Sequence, residues 1–135
     1  MGLTVLDAGV VIAALDASDA HHGAAVSALR EARDRGDRLI VAASAYAAAL
    51  VGPFRKGPEA AAVVDAFLDA LPASIEPATR AVARRAAELR ATHGGALRLP
   101  DALVLATADV SGADHVLTTD AGWPPTGVAV HVINR

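Results

Sequence analysis

The sequence predicts an α/β fold of three layers, in which helices cover both faces of a mostly parallel, five-stranded sheet. Short apolar runs alternate with longer stretches in which apolar residues recur at helical spacing, and this alternation is typical of βαβ units. The chain has 135 residues, of which 53% are hydrophobic and 20% charged, enough for one core and too few for two. We therefore interpret residues 1–135 as a single domain.

The chain opens with an apolar strand at Leu3–Leu6, which Asp7 separates from the helical run GVVIAAL. A polar break follows, in which Ser18 or Asp19 is a candidate N-cap for a helix over His21–Arg35. A glycine comes next, and glycine is the usual residue just past the end of a helix.

A second short strand, Leu39–Ala42, leads into an alanine-rich helix that begins near Ser44 and is predicted to stop at Gly52-Pro53. Gly57-Pro58 then introduces a helix over Glu59–Leu71. Three residues form the predicted apolar stripe of that helix: Val63, Phe67 and Ala70.

Ser74-Ile75 is predicted as a minimal strand. Pro77 suits the first turn of a helix that continues to Thr92, since proline is tolerated at that position. Leu99-Pro100-Asp101 introduces the next helix, which runs through Val110. The remaining predicted elements are a strand at 114–118, a loop at 119–127 and a strand at 128–132.

Composition and charge exclude several classes of protein. The chain has no cysteine, which excludes disulfides, zinc-thiolate sites and cysteine nucleophiles. Its longest uncharged stretch, Leu39–Phe54, is shorter than the roughly 20 apolar residues that a membrane span requires. No basic segment precedes the first apolar run, which argues against a secretory signal, so we expect a cytoplasmic protein. The net charge of -3 neither indicates nor excludes a nucleic-acid partner.

Three carboxylates are predicted to meet at one edge of the sheet, because ligands of open α/β sheets collect beyond the carboxyl ends of the strands. Asp7 ends the first strand, Asp120 follows the strand at 114–118, and Asp101 stands in the first turn of a helix. Each acid taken singly also fits a helix cap or a turn. Asp7 fits that role least well, since it lies between two apolar segments with no basic residue nearby.

Carboxylates without cationic partners raise one another's pKa unless a cation lies among them. Oxygen ligands in a chain without cysteine favour Mg²⁺ or Mn²⁺ over zinc. Such an ion lowers the pKa of a bound water and neutralises charge that develops on a phosphoryl group. Metal-assisted hydrolysis of a phosphodiester is therefore the predicted class of reaction, and the predicted substrate is a polyanion.

Four segments carry a family resemblance, and they are TVLDAGVVIAAL at Thr4–Leu15, SAYAAAL at Ser44–Leu50, LRLPDALVLATA at Leu97–Ala108 and VLTTDAGW at Val116–Trp123. In this order they resemble the PIN domain family and, within it, the VapC-type toxins of bacterial toxin–antitoxin pairs. The resemblance implies a five-stranded parallel α/β/α fold and a Mg²⁺- or Mn²⁺-dependent endoribonuclease that acts on RNA. It also implies a cognate VapB-like antitoxin, which occupies the groove, and a homodimer.

The resemblance implies metal-binding and catalytic roles for Asp7, Asp101 and Asp120. It fits Thr118 as the hydroxyl beside the last of these acids, and Thr118 is also a weak candidate for substrate binding. The family pattern expects a glutamate at position 48, where this chain has alanine. At about 100° per residue, the helix is predicted to turn three residues inward and three away. The inward residues are Tyr46, Ala49 and Leu50, and the others are Ser44, Ala45 and Ala48.

An acid at position 48 is favoured by the helix dipole, so local physics does not explain Ala48. Either the alanine was introduced to disarm a toxic nuclease or the chain is a naturally degenerate member of the family. The retention of the other three acids favours the first explanation, and codon 48 of the native gene decides between them. We expect impaired nuclease activity in both cases.

Other signals each have two interpretations. Arg55 and Lys56 either bind RNA phosphates beside the metal site or form a solvated basic turn. Trp123 either stacks on a base or covers the edge of the sheet. The main alternative function is a catalytically degenerate PIN-like module that binds RNA or an antitoxin without cleaving.

Three other enzyme classes fit the residues poorly. A receiver-type phosphorylation domain requires a lysine late in the chain, whereas the single lysine is Lys56. A haloacid-dehalogenase-type phosphatase requires Asp-x-Asp after the first strand, where this chain has Asp7-Ala8-Gly9. The motifs of α/β-hydrolases and P-loop proteins do not occur in the sequence.

Overall fold

A computed structural model of the protein describes residues 2–134. Within those residues, a sheet of five parallel strands lies between layers of α-helices, which confirms the predicted α/β/α class. The strands are β1 (Leu3–Leu6), β2 (Arg38–Ala42), β3 (Ala73–Glu76), β4 (His115–Thr118) and β5 (Val130–Val132). The helices are α1 (Ala8–Leu15), α2 (His22–Asp34), α3 (Ala43–Lys56), α4 (Pro58–Ala70), α5 (Arg80–His93) and α6 (Leu99–Ser111).

The order of the strands in the sheet is β3-β2-β1-β4-β5. The chain therefore builds one half of the sheet outward from β1, returns, and builds the other half from β4. Val5 is paired with Ile40 of β2 on one side and with Val116 of β4 on the other. The boundary between β1 and β4 is the topological switch point, where the connecting helices diverge and leave a crevice at the carboxyl ends of the strands.

The centre of the sheet is fully buried. Val5 and Leu6 of β1 are 0% exposed, and the neighbouring strands contribute further aliphatic side chains to the same core. Strands covered by helices on both faces are expected to be apolar throughout, which explains the runs that the sequence contains.

Two acidic side chains hold the amino-terminal end of β1. The backbone N–H of Gly2 donates to Asp37 at 3.1 Å, and the N–H of Leu3 donates to Asp114 at 2.7 Å. The buried hydroxyl of Thr4 also donates to Asp37, at 3.3 Å. The guanidinium of Arg35 donates to Asp37 and is the largest cause that lowers the pKa of this acid.

The end of α3 differs from the prediction. The helix continues through Gly52-Pro53 to Lys56 and ends at Gly57, whose φ is +140°. Proline at position 53 removes only one backbone N–H from the helix, and the residues after it tolerate a helical conformation, so the helix continues past it. Arg55 and Lys56 therefore lie in the last helical turn, where their charges complement the helix dipole.

The inward face of α3 is also partly different. Ala45 and Ala49 are buried, whereas the prediction turned Ala45 away from the core. Tyr46 and Leu50 pack against the core only in part. Ala48 is exposed, as predicted. Alanine carries too little apolar surface to fix the rotation of a helix from the sequence alone.

Several element boundaries move by one to three residues. The buried stripe of α4 is Ala61, Val64 and Leu68 rather than the predicted set, and Val63 is 59% exposed. Pro77 precedes α5, which begins after the N-cap Thr79. In addition, α2 has no side-chain cap from Ser18 or Asp19, β4 begins at His115, and β5 begins at Val130.

Replacing Leu6 by alanine is expected to lower the free energy of unfolding by about 2–5 kcal/mol, because it removes a fully buried side chain and leaves a cavity. Leu99→Ala is the matched control, since Leu99 is 51% exposed, and we expect a loss below about 1 kcal/mol. Urea unfolding followed by circular dichroism measures both. Equal losses in the two variants would contradict the buried position of β1.

Candidate active site

Asp7 lies at the switch point, between the end of β1 and the start of α1. Its backbone is extended, and its Oδ1 accepts a hydrogen bond of 2.8 Å from the N–H of Ala8, so the side chain caps the helix. Its Oδ2 accepts a hydrogen bond of 2.8 Å from the hydroxyl of Thr118, the last residue of β4. One carboxylate thus connects two neighbouring strands at their carboxyl ends.

The same hydroxyl extends the connection to Asp120. Thr118 Oγ1 accepts a hydrogen bond of 3.0 Å from the backbone N–H of Asp120, while the Thr118 side chain itself is 0% exposed. Asp120 Oδ1 accepts from the N–H of Gly122 at 2.7 Å and the residue is exposed. The hydroxyl of one buried threonine therefore contacts both predicted metal ligands. It binds the side chain of Asp7 and the backbone of Asp120.

Asp101 is placed by the amino-terminal turn of α6, immediately after Pro100. Its side chain is only 17% exposed, and the nearest cation is the guanidinium of Arg98 at 3.8 Å. Arg98 is itself 80% exposed, so water screens this ion pair and it neutralises the acid weakly. The indole N–H of Trp123 faces Asp101 closely enough to favour the ionised acid, although it does not reach hydrogen-bond geometry.

Two of the three acids have raised pKa values. Burial is the largest cause for Asp7, and the charges of Asp101 and Asp120 raise its pKa further, against the hydrogen bonds from Thr118 and Ala8. Burial also raises the pKa of Asp101, and Asp120 adds to it, while Arg98 opposes. The acids therefore act on one another electrostatically, and their negative charge is incompletely compensated.

The residues fit a hard divalent cation by the chemistry of their donors. Within residues 2–134, no three acidic or histidine side chains converge tightly enough to enclose a metal ion. Magnesium does not require such a cage, because it keeps several waters and is commonly held by one or two carboxylates. Asp7 and Asp101 are partly buried, and their negative charges are incompletely neutralised by the residues around them. A divalent cation would therefore stabilise the ionised forms of these two acids most.

Ala48 lies on the neighbouring helix α3, which packs against both α1 and α6. It is exposed in a groove of about 530 Å³ between α1, α3 and α4. Lys56 lines the same groove, and Arg55 is exposed on the same last turn of α3. The groove is otherwise mainly apolar, with Val11, Ile12 and Val63 among its lining side chains.

Sequence reasoning missed two local features of the site. A Cβ on Gly9 would collide with the hydroxyl of Thr119, so any larger residue at position 9 requires the Thr119 side chain to move. The hydroxyl of Ser44, in the first turn of α3, is buried without a hydrogen-bond partner in the described part of the chain. The signal that could have revealed the Gly9 contact is a glycine in the first turn of an otherwise aliphatic helix.

The fold is similar to that of solved proteins. VapC20 of Mycobacterium tuberculosis, a toxin that cleaves the sarcin-ricin loop, superposes with a TM-score of 0.67 at 19% identity, over 84% of this chain and 86% of that one. A chain of VapBC2 from Rickettsia felis, bound to a DNA fragment from its promoter, gives a TM-score of 0.76 at 13% identity, over 98% and 99%. FitAcB of Neisseria gonorrhoeae gives 0.70 at 23%, over 94% and 95%.

At these identities the structural likeness establishes the fold. No curated protein matches the sequence. The family model of the PIN domain matches residues 4–127, which include β1 from Thr4 onward, β2, β3, β4 and every acid of the candidate site. The chain is therefore a member of the PIN domain family.

Proposed function

We propose that this protein is a metal-dependent endoribonuclease toxin of a toxin–antitoxin pair, and that its activity is impaired by alanine at position 48. The observation that carries the proposal is the hydrogen-bonded arrangement of Asp7, Thr118 and Asp120 at the switch point, with Asp101 close enough to act on it electrostatically. Family membership supports the same conclusion, as does the likeness to VapC20, a toxin that cleaves RNA.

Asp7 and Asp101, with Asp120, would hold a Mg²⁺ or Mn²⁺ ion. When bound, such an ion supplies charge neutralisation at the phosphoryl group and a more acidic water. The chain itself supplies orientation. Thr118 is buried, and its hydroxyl donates to Asp7 Oδ2, which restricts the orientation of that carboxylate. We therefore assign Thr118 a positioning role rather than a contact with substrate.

Position 48 explains the expected loss of activity. A glutamate there would project from α3, which packs against α1, capped by Asp7, and against α6, which carries Asp101 in its first turn. Alanine offers no oxygen to a metal ion or to a water beside it. Loss of one such group commonly lowers kcat by about 10²–10³-fold when it acts on the transition state. Whether the alanine is engineered or natural is decided by codon 48 of the native gene.

Basic residues near the groove are proposed as weak substrate contacts. Lys56 lines the groove beside Ala48, and Arg55 is exposed on the same turn, so both are accessible to RNA phosphates. Both side chains extend from the last turn of α3, the helix that carries position 48, which supports a contact with RNA.

The proposed protein partner is a VapB-like antitoxin that lies in the groove between α1, α3 and α4. The groove carries exposed apolar side chains, with Ile12 at 41% and Val63 at 59% exposure, as expected of a surface that another chain covers. Two of the similar proteins, VapBC2 and the toxin–antitoxin complex of Klebsiella pneumoniae, are complexes. A homodimer and action in the cytoplasm belong to the same proposal. Among residues 2–134, no helix has the length and hydrophobicity to cross a membrane.

A second candidate function is a PIN module that binds RNA or an antitoxin without cleaving. The absence of an acid at position 48 favours it, and so does the open spacing of the carboxylates. The two functions differ in what happens when the acid is restored.

Ala48→Glu is expected to increase RNA cleavage in the presence of Mn²⁺ by about 100-fold or more over the parent chain, because it completes the set of acids. Gel analysis of a mixture of transfer, ribosomal and messenger RNA measures the rate. The control is Ala48→Gln, which has the same size without the charge and is expected to stay inactive. An additional Asp101→Asn substitution is expected to abolish the restored activity. An Ala48→Glu variant that binds RNA with full affinity and does not cleave it would establish the binding module instead.

Asp7→Asn is expected to raise the melting temperature at pH 7 by about 3 °C in EDTA, corresponding to roughly 1 kcal/mol. The pKa of Asp7 is raised in the folded state, so the folded protein binds its proton more tightly than the unfolded chain. This group therefore destabilises the fold increasingly as the pH rises through the folded-state pKa. The gain from the substitution is expected to shrink as the pH falls toward 3.8, the ordinary value.

Thermal unfolding from pH 4 to 8 measures this difference, with Asp34→Asn as the control because Asp34 is exposed on α2. In the same assay, Mn²⁺ is expected to stabilise the parent chain and to have a smaller effect on Asp7→Asn, since binding to the native state raises stability. Equal stabilisation of both proteins by Mn²⁺ would remove Asp7 from the metal site.

A further inference from the structure

We propose that the cavity between β5 and the loop after β4 binds one nucleobase of the RNA, stacked against Trp123, next to the bond that is cleaved. This inference rests on the proposed function for its position relative to the scissile bond. The binding of a base is a separate property, and it is testable in a chain that does not cleave.

The cavity has a volume of about 320 Å³ and is open to solvent on one side. This volume is at the lower limit of the roughly 300–1,000 Å³ that ligand pockets commonly have. It is sufficient for a planar heterocycle and too small for a helix of a partner protein, which distinguishes it from the larger groove beside Ala48. Its lining side chains include Asp120, Ala121, Trp123, Pro124, Pro125 and Val130.

The walls have the chemistry of a stacking site. Trp123 contributes an indole ring, and Pro124, Pro125 and Val130 contribute apolar surface around it. Aromatic side chains bind bases with little dependence on sequence, at about 1–3 kcal/mol per base. The two prolines remove two backbone N–H donors from this wall. A planar aromatic ring is the ligand class that fits such a wall.

The loop after β4 contains buried polar side-chain atoms that have no hydrogen-bond partner in the described part of the chain. Among residues 2–134, three buried side-chain polar atoms have no partner, and two of them, Trp123 Nε1 and Thr126 Oγ1, belong to this loop. Buried polar groups are normally paired, and the exceptions require an explanation. Trp123 Nε1 lies near Asp101, while the residue also lines the cavity.

Asp120 connects the cavity to the candidate active site. It lines the cavity, and its backbone N–H is bonded to Thr118, whose hydroxyl also holds Asp7. A base in the cavity therefore lies beside Asp120, one of the three acids of the proposed metal site. On the proposed function, the pocket would select a nucleotide near the cut.

The experiment uses Trp123, the only tryptophan, as an intrinsic reporter. The parent chain in EDTA and low salt is titrated with the hexanucleotides of adenosine, cytidine, guanosine and uridine, and with an abasic hexamer of equal charge. At least one base-bearing RNA is expected to quench the emission and to bind about fivefold or more tightly than the abasic RNA. An absence of quenching, or equal quenching by the abasic RNA, overturns the proposal.

Two further sets of variants distinguish loss of base binding in the cavity from loss of folding. Ala121→Leu enlarges a side chain that lines the cavity and is expected to abolish the preference for base-bearing RNA, whereas Ala91→Leu on the exposed face of α5 is expected to retain it. With labelled RNA and fluorescence anisotropy, Trp123→Phe is expected to retain most of the preference and Trp123→Leu to lose it. Retention of the preference in Ala121→Leu overturns the proposal, even where the substitutions at Trp123 prevent folding.

The two proposals fail in different ways. Cleavage by Ala48→Glu without base-dependent quenching leaves the nuclease intact and eliminates the base pocket. Base-dependent quenching without cleavage by Ala48→Glu retains the pocket and eliminates the nuclease. When both hold, Ala121→Leu in the Ala48→Glu background is expected to alter the nucleotide preference at the cut, which sequencing of the RNA ends measures.

Discussion

The hydrogen bond from Thr118 to Asp7 is the interaction on which the candidate site depends. It crosses from β4 to β1 at the point where the two halves of the sheet diverge, and it joins side chains that are 111 residues apart in sequence. The bond forms only when both strands are in register, because Thr118 follows Leu117, which is paired with Leu6. The register of β1 and β4 therefore places Asp7 and Asp120 beside the same hydroxyl.

The two ends of β1 use acids in opposite ways. At the amino-terminal end, Asp37 accepts from Gly2, Thr4 and Arg35, and its pKa is lowered, so this charge is compensated. At the carboxyl end, Asp7 is partly buried beside other acids, and its pKa is raised. One acid anchors the strand, whereas the other opposes the fold at neutral pH. An acid that opposes the fold is expected where charge serves the binding of a cation rather than stability.

The sequence predicted the elements that carry the acids more accurately than the helices around them. Leu3–Leu6 is a strand as predicted, because its apolar β-branched run and the acid after it have few alternative explanations. The rotation of α3 and α4 was less predictable, since alanine and valine occur on both the buried and the exposed faces of these helices. Position 48 was nevertheless correctly turned away from the core. The contact of Gly9 with Thr119 depends on tertiary structure, and no periodic pattern reveals it.

The strand order also places the groove beside Ala48 and the cavity beside Trp123 on opposite sides of β1. The groove that contains Ala48 lies beside α3, which follows β2, whereas the cavity lined by Trp123 lies beside β5. Since β2 and β5 are on opposite sides of β1 in the sheet, loss of an acid at position 48 changes charge on one side and leaves the other side unchanged. On the proposed function, a chain that lacks an acid at position 48 would keep the base pocket beside β5. Impaired cleavage and RNA binding through that pocket are therefore compatible in one PIN domain.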